Sequence, residues 1–256
     1  MLAKLAAVVT LAVLGLAAPS TEHVHKRALR VINNCNNDGD VALTFDDGPY
    51  NFEKDIVDVL DKNGAKGTFF YNGDNWACIY SEAMVSQVKY VYQHGHQIGS
   101  HTWDHDDLTT LQPANIGYQM WLTEQAIQRI TGAYPAFFRP PFGNMNDNVK
   151  KVAASRGLSA VMWSFDSGDS TGASESQQEA NFKGVAAKHP APLLSLEHST
   201  YDTTATVAQY AITQLKAAGY KNFVTVAECV GSSPYQNTTA PAKYDPSWTN
   251  LCFRSG

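Results

Sequence analysis

Val41-Ala42-Leu43-Thr44-Phe45-Asp46-Asp47-Gly48-Pro49 is a mainly apolar run that ends in two adjacent carboxylates and a Gly-Pro turn. A strand that stays apolar along its length and delivers ionisable groups only at its C-terminal end is how a βα barrel builds a site at its mouth. The same design recurs along the chain. The run 97–100 leads into His101-Thr102-Trp103-Asp104-His105, and 136–138 leads into Arg139-Pro140-Pro141-Phe142-Gly143. The run 160–163 leads to Asp166 and Asp169, and 193–196 leads into Glu197-His198. Five strands converging on one mouth suit a barrel and are awkward in an open sheet.

Two more apolar runs, 67–71 and 223–226, complete a set of seven candidate strands. Helical patterns lie between them. Residues 54–63 put Ile56, Val57 and Leu60 on one face, and 83–94 do the same with Val85, Val88 and Val91. Segment 113–130 carries Pro near its first turn, 146–156 ends at Gly157, 175–188 follows, and 204–218 stops at Gly219. Alternating strands and helices imply repeated βα units around a parallel sheet. No linker, composition shift or repeat divides them, so one α/β domain is expected.

The chain has 256 residues, enough for a full hydrophobic core, with 44% apolar residues and a formal charge of −5. An acidic chain without a Lys/Arg run lacks the footprint of a nucleic-acid binder, and a monomer is expected. Its 17% charged and 11% aromatic residues exclude a disordered chain or a coiled coil. Residues 5–18 after Lys4 are too short for a membrane span and fit a secretory signal peptide ending near residue 20. Residues 21–27, closing on Lys26-Arg27, read as a short pro-segment, which leaves 28–256 as the mature, secreted domain with no membrane anchor. Removing 1–27 takes out three basic residues and one acidic residue, leaving 16 against 23, a charge of −7.

Export makes Cys35, Cys78, Cys229 and Cys252 a disulfide set, since no C-x-x-C or Cys/His metal spacing is present. Four cysteines allow three pairings. Cys35 lies near the mature N-terminus, and Cys229 and Cys252 near the other end, so at least one bridge ties the termini; Cys35–Cys229 with Cys78–Cys252 is the favoured set. Asn237-Thr238-Thr239 is a glycosylation sequon in a Ser/Pro/Thr-rich tail.

His101 and His105 are four apart, so one helical turn puts both imidazoles on one side, as metal ligands require. Two surface histidines share that spacing; the strand end and the acidic neighbours favour metal. Asp46 and Asp47 can divide labour, one completing a His₂-carboxylate ligand set and the other deprotonating water. That set with an open position is a catalytic zinc site. A helix cap beside a solvated acid accounts for one aspartate more easily than for two. Arg139, stiffened by two prolines, can orient a carboxylate and keep it ionised, or make a structural ion pair. His198, at the end of an apolar strand, is a candidate acid or base.

Five stretches now stand in order: Thr44-Phe45-Asp46-Asp47-Gly48-Pro49, residues 101–105, residues 139–143, Asp166 with Asp169, and Leu196-Glu197-His198. Together they resemble the motifs of the polysaccharide deacetylases, carbohydrate esterase family 4, over residues 41–230. Residues 72–76 and 227–231 are further similar to fungal secreted chitin deacetylases. The resemblance implies a distorted (β/α)₇ barrel and hydrolysis of N-acetyl groups on GlcNAc units of chitin or chito-oligosaccharides. It implies Asp46 as general base and Asp47, His101 and His105 as ligands of zinc, with cobalt a possible substitute. It further implies Arg139 holding Asp46, the Phe142 amide binding the oxyanion, and His198 as general acid tuned by Asp169. Leu196 would line the acetyl pocket, with Tyr50, Trp76 and Trp103 as sugar-stacking residues. One position departs from the pattern: Ser170 stands where the family usually has an aromatic after the second Asp, and Trp163 is a candidate replacement.

Three rivals share these residues. An O-acetyl xylan esterase would use the same site. An inverting glycosidase would pair Asp46 with Asp169 and leave His101 and His105 without purpose. A non-catalytic wall-binding protein would need no such complete set.

Overall fold

The computed structural model describes residues 29–253, so the predicted signal peptide and pro-segment lie outside the described residues. In chain order the elements are β1 (Val31–Ile32), β2 (Asp40–Asp46), α1 (Glu53–Lys62), β3 (Gly67–Tyr71), α2 (Glu82–Gln93), β4 (Gln97–Ser100), α3 (Pro113–Thr131), β5 (Ala133–Pro135) and β6 (Phe137–Phe138). They continue with α4 (Asp147–Ser155), β7 (Ser159–Val161), β8 (Phe165–Asp166), α5 (Glu175–Ala186), β9 (Leu193–His198), α6 (Thr204–Ala217), β10 (Asn222–Phe223), α7 (Val226–Cys229) and β11 (Tyr235–Thr238).

Local chemistry sets many of these boundaries. Ser81 caps α2 by accepting from Met84 N, Asn146 caps α4 by accepting from Val149 N, and Ser174 with Gln177 forms a capping box on α5. Gly132 ends α3 at φ 84°, the left-handed conformation open to glycine.

The main sheet runs β1-β7-β6-β4-β3-β2-β9-β8, with β10 also paired to β2, and every pairing is parallel. β7 and β8 are halves of one bent segment: β7 bonds to β1 and β6, while β8 bonds to β9 on the other flank. That bend turns the sheet back on itself, giving a distorted barrel with helices outside, as expected. Along β2, Val41, Leu43 and Phe45 face Ile56, Val57 and Leu60 of α1, whereas Ala42 joins Phe70, Phe137, Val161 and Leu194 inside. This is the period-two alternation of a strand buried on both faces.

The seventh expected strand is shorter than 223–226. Thr225 accepts from Glu228 N and the Glu228 carboxylate accepts from Thr225 N, a capping box that starts α7 at Val226. α7 plugs the lower end of the barrel, with Val226 N donating to Thr68 Oγ1 at 2.9 Å and Ala227 N to Gln97 Oε1 at 2.8 Å. The C-terminal segment is not a loose tail, because β11 pairs antiparallel with β5 and exposes Asn237. Disulfides join Cys35 to Cys229 and Cys78 to Cys252, 194 and 174 residues apart. Among the described residues no helix is long and apolar enough to cross a membrane.

Register then levels the strand ends. Asp46 pairs beside Phe70 on one side and His198 on the other, and Ser100 pairs with Phe138. His101 and Arg139, the next residues, therefore emerge at one height. Closing a loop of 194 residues removes much unfolded-state entropy, so a Cys35→Ser/Cys229→Ser variant should lose about 2–5 kcal/mol of stability, read as a lower Tm in a thermal melt.

Candidate active site and metal centre

Arg139 lies wholly inside the barrel with no exposed surface. Its Nη1 donates to Asp46 Oδ1 at 2.8 Å and Thr44 Oγ1 at 2.7 Å. Nη2 donates to Met162 O at 2.8 Å, Nε donates to Val161 O at 3.2 Å, and Phe70 lies 4.6 Å from the guanidinium carbon. The Asp46 carboxylate is thus oriented by a planar, permanently charged donor. Thr44, unremarked in the sequence apart from its place in the motif, is part of this cradle.

The Arg139 carbonyl accepts a bond from His101 Nδ1 at 2.7 Å. That bond places the proton on Nδ1 and turns the Nε2 lone pair toward Asp47, the tautomer a metal ligand needs. His101 Nε2 and His105 Nε2 lie 3.4 and 3.3 Å from Asp47 Oδ1, and the ligand atoms of the three residues all fall within 4.8 Å of one another. Asp47 Oδ1 is buried without a hydrogen-bond partner. An orphaned carboxylate oxygen between two imidazole nitrogens fits a divalent cation, and the donor set suits zinc. Burial would raise the Asp47 carboxyl, but the neighbouring imidazoles of His101, His105 and His198 hold it down at about 2. Burial, helped by the charge of His101, pushes His105 down to about 4, so it is neutral at pH 7 and can ligate.

The expected helical turn carrying His101 and His105 does not form. Residues 101–107 are irregular, with Thr102 at φ 71° and His105 at φ 55°. Side chains from elsewhere take up the loop's backbone groups. Gln119 of α3 accepts from Trp103 N and Asp104 N, and Asn72 donates to the carbonyls of His101 and Thr102. The convergence of the two imidazoles is therefore tertiary.

His198 ends β9, the strand next to β2, in register with Asp46. Its Nδ1 bonds Asp169 Oδ1 at 2.8 Å and its backbone N donates to Asp169 Oδ2 at 2.7 Å. Burial would lower this imidazole, but the bond and charge of Asp169, with those of Asp46 and Asp47, hold it up at about 9. A proton is available on His198 at neutral pH.

Between the walls opens a cavity of about 450 Å³ lined by Asp46, Asp47, His101, His105, Phe142, Leu196 and His198, with Trp163, Asp166 and Ser170 at its edge. That is room for a sugar residue. Ser170 offers no apolar wall, while Trp163 reaches the cavity beside Gly143. Phe142, at φ 58°, is 64% exposed with its ring 4.8 Å from His105. Tyr50 and the exposed Trp76 meet outside this cavity with ring centres 5.7 Å apart and planes tilted by 56°. Trp103 corrects an expectation. It is 2% exposed, packed against Tyr80 and so close under Gly73 that a Cβ there would lie 1.9 Å from Trp103 Cε3. It supports the histidine loop and cannot stack on a sugar.

A barrel mouth with a His₂-carboxylate cluster, an Arg-held carboxylate and a carboxylate-held histidine defines the class: a metal-dependent hydrolase. The polysaccharide deacetylase family matches residues 33–161. A chitin deacetylase of Pestalotiopsis sp is 37% identical over 206 residues, 79% of this chain and 67% of that protein. The chitin deacetylase of Colletotrichum lindemuthianum is 32% identical over 206 residues, 78% of this chain and 83% of that protein. Its solved structure superposes with a TM-score of 0.78 at 30% identity, covering 85% of this chain and 99% of that one. A peptidoglycan N-acetylglucosamine deacetylase structure follows at TM-score 0.72 and 32% identity, with 82% and 96% covered. The chain belongs to the polysaccharide deacetylase family, carbohydrate esterase family 4.

Calorimetric titration of the metal-free protein with zinc should give one tight site. His101→Ala should weaken it by more than about 100-fold, beyond the 10- to 100-fold typical of residues that only support a ligand. An unchanged affinity would remove His101 from the ligand set.

Proposed function

We propose that this protein is a secreted, zinc-dependent chitin deacetylase that hydrolyses the N-acetyl groups of GlcNAc units and releases acetate. The observation that carries the reading is the pairing of two differently held carboxylates at one strand end: Asp46 bonded to Arg139, Asp47 facing two imidazoles. Asp47, His101 and His105 hold the ion, zinc by preference and cobalt as a substitute. When bound, such an ion polarises the acetyl carbonyl and lowers the pKa of water to about 7.

The chain's own groups do the rest. Asp46, oriented by Arg139, takes the proton from the attacking water. The Phe142 amide donates to the oxygen that gains negative charge as the carbonyl becomes tetrahedral. His198, oriented by Asp169, gives its proton to the departing amine. The amine stays on the sugar and acetate leaves. Leu196 faces the acetyl methyl, while Tyr50 and Trp76 stack on neighbouring sugar rings. Residues 1–20 direct secretion as a signal peptide and 21–27 are removed as a pro-segment, and Asn237 is exposed for glycosylation.

The paired-carboxylate glycosidase loses its second acid in this geometry. Both oxygens of Asp169 are already engaged by His198 N, His198 Nδ1 and Ser170 N. It cannot also activate water on a sugar.

The mature protein should release acetate from a GlcNAc pentamer, lose activity in EDTA, regain it with zinc, and be inactive as Asp46→Asn. Mass spectrometry should show acetyl groups replaced by hydrogen on an intact pentamer. Shortened oligomers formed in EDTA would mean a glycosidase, and acetate released only from acetylated xylan would mean an O-acetyl esterase.

The pH profile has a definite sign. His198 must be protonated to act, and Asp169 is what lifts it above the ordinary imidazole range. Asp169→Asn removes that lift and leaves burial, which lowers it, so the alkaline limb of kcat against pH should move to lower pH. An unmoved limb would take the acid role from His198.

A further inference from the structure

Beneath the Asp46–Asp47 turn sits a carboxyl that the proposed reaction does not use. Glu53, the first residue of α1, has no exposed surface. The N-cap residue of that helix, Phe52, offers no side-chain bond to it. Glu53 Oε1 instead accepts two bonds from different parts of the barrel mouth: Tyr50 N at 2.8 Å and Ser199 Oγ at 2.9 Å. Tyr50 lies three residues after Asp47, and Ser199 directly follows His198. Ser199 N in turn donates to Asp46 O at 3.0 Å, and Asn72 N donates to Gly48 O at 2.7 Å. One carboxyl oxygen therefore joins the end of β2, with its base and its metal ligand, to the end of β9, with its acid.

Gly48 makes room for this arrangement. A Cβ there would fall 2.3 Å from Glu53 Oε1, 2.6 Å from Ser199 Oγ and 2.7 Å from Tyr71 Cε1. The turn is thus pressed directly onto the Glu53 carboxyl. Burying a carboxyl is costly, and a residue that merely filled space here would be apolar. Burial pushes Glu53 up to about 8, so it is neutral at pH 7 and acts through its bonds rather than its charge.

We propose that Glu53 is a positioning residue that clamps the Asp46–Asp47 turn to the His198 strand end, setting both the ligand geometry of Asp47 and its register with the acid. It rests on the reading above in taking Asp47 as a ligand and His198 as the acid. A simple helix-start role would affect stability alone.

The test compares the mature wild type with Glu53→Gln and Glu53→Ala in three readouts: Tm, zinc affinity by competition with a chromophoric chelator, and kcat with KM on a GlcNAc pentamer at saturating zinc. Glu53→Gln keeps the acceptor oxygen and should stay near wild type in zinc affinity and kcat. Glu53→Ala should lower zinc affinity and kcat by roughly 10-fold or more each, with KM little changed. Either quantity remaining at the wild-type level in a folded Glu53→Ala protein overturns the proposal, as does Glu53→Gln being damaged as badly. If Glu53→Ala does not fold, Ser199→Ala decides: it removes the Glu53 bond to Ser199 Oγ, along with a longer Ser199 Oγ bond to Asp46 O at 3.4 Å, and leaves the Tyr50 bond. It should lower kcat while zinc affinity holds, and a wild-type kcat overturns the clamp. Should the wild type itself release no acetate, the deacetylase reading fails, while the zinc affinities still judge the clamp.

Discussion

The Arg139 guanidinium inside the barrel is the constraint on which the site depends. A cation with no exposed surface is tolerable only when its donors are satisfied, and here Asp46, Thr44 and the carbonyls of Val161 and Met162 accept from it. Those two carbonyls belong to the segment where β7 gives way to β8, so the bend that closes the barrel also feeds the guanidinium. The same residue's carbonyl holds His101 Nδ1. Charge, barrel closure and ligand tautomer meet in one side chain and its own peptide. Removing a single partner from such a buried pair typically costs about 3–5 kcal/mol.

Around this centre the backbone is strained where the chemistry is. The four non-glycine residues with positive φ among the described residues are Asp47, Thr102, His105 and Phe142, all at or beside the cavity. Each such conformation costs on the order of 1–3 kcal/mol and persists only where its surroundings over-determine it. Gln119 and Asn72 supply that for the histidine loop, and Glu53 lies directly under the turn that carries Asp47. Strain here is what lets two adjacent aspartates serve different partners: Asp46 stays on the strand with Arg139, while Asp47 turns left-handed toward the imidazoles.

Across the cavity, protonation states then differ. Neutral His105 and ionised Asp47 stand on one side, and His198, held cationic by Asp169, on the other. Identical residue types thus take opposite protonation states a few residues' width apart, because burial outweighs the nearby carboxylates at His105, whereas the bonded Asp169 carboxylate outweighs burial at His198. With Ser170 exposed at the rim, Trp163 is the bulky apolar face that remains beside Gly143.

Periodicity together with flanking start and stop residues located the six main helices to within two residues at each end, because those signals lie in the helices' own segments. It also located the strands that end in ionisable groups. Short β1, β5, β8 and β11 were illegible, since two to four residues hold no pattern and their pairing comes from distant partners. The ordered stretches 44–49, 101–105, 139–143, 166–169 and 196–198 were enough to name the family and to nominate the groups proposed to react, because residue type and order are written in one dimension. What only the tertiary structure decided is how they meet. A helical spacing turned out to be a strained loop, a Trp taken for a sugar platform proved to be buried support, and Glu53 looked like an ordinary helix start. Each of these depends on bonds between segments about 15 to 150 residues apart, and no local pattern encodes such contacts.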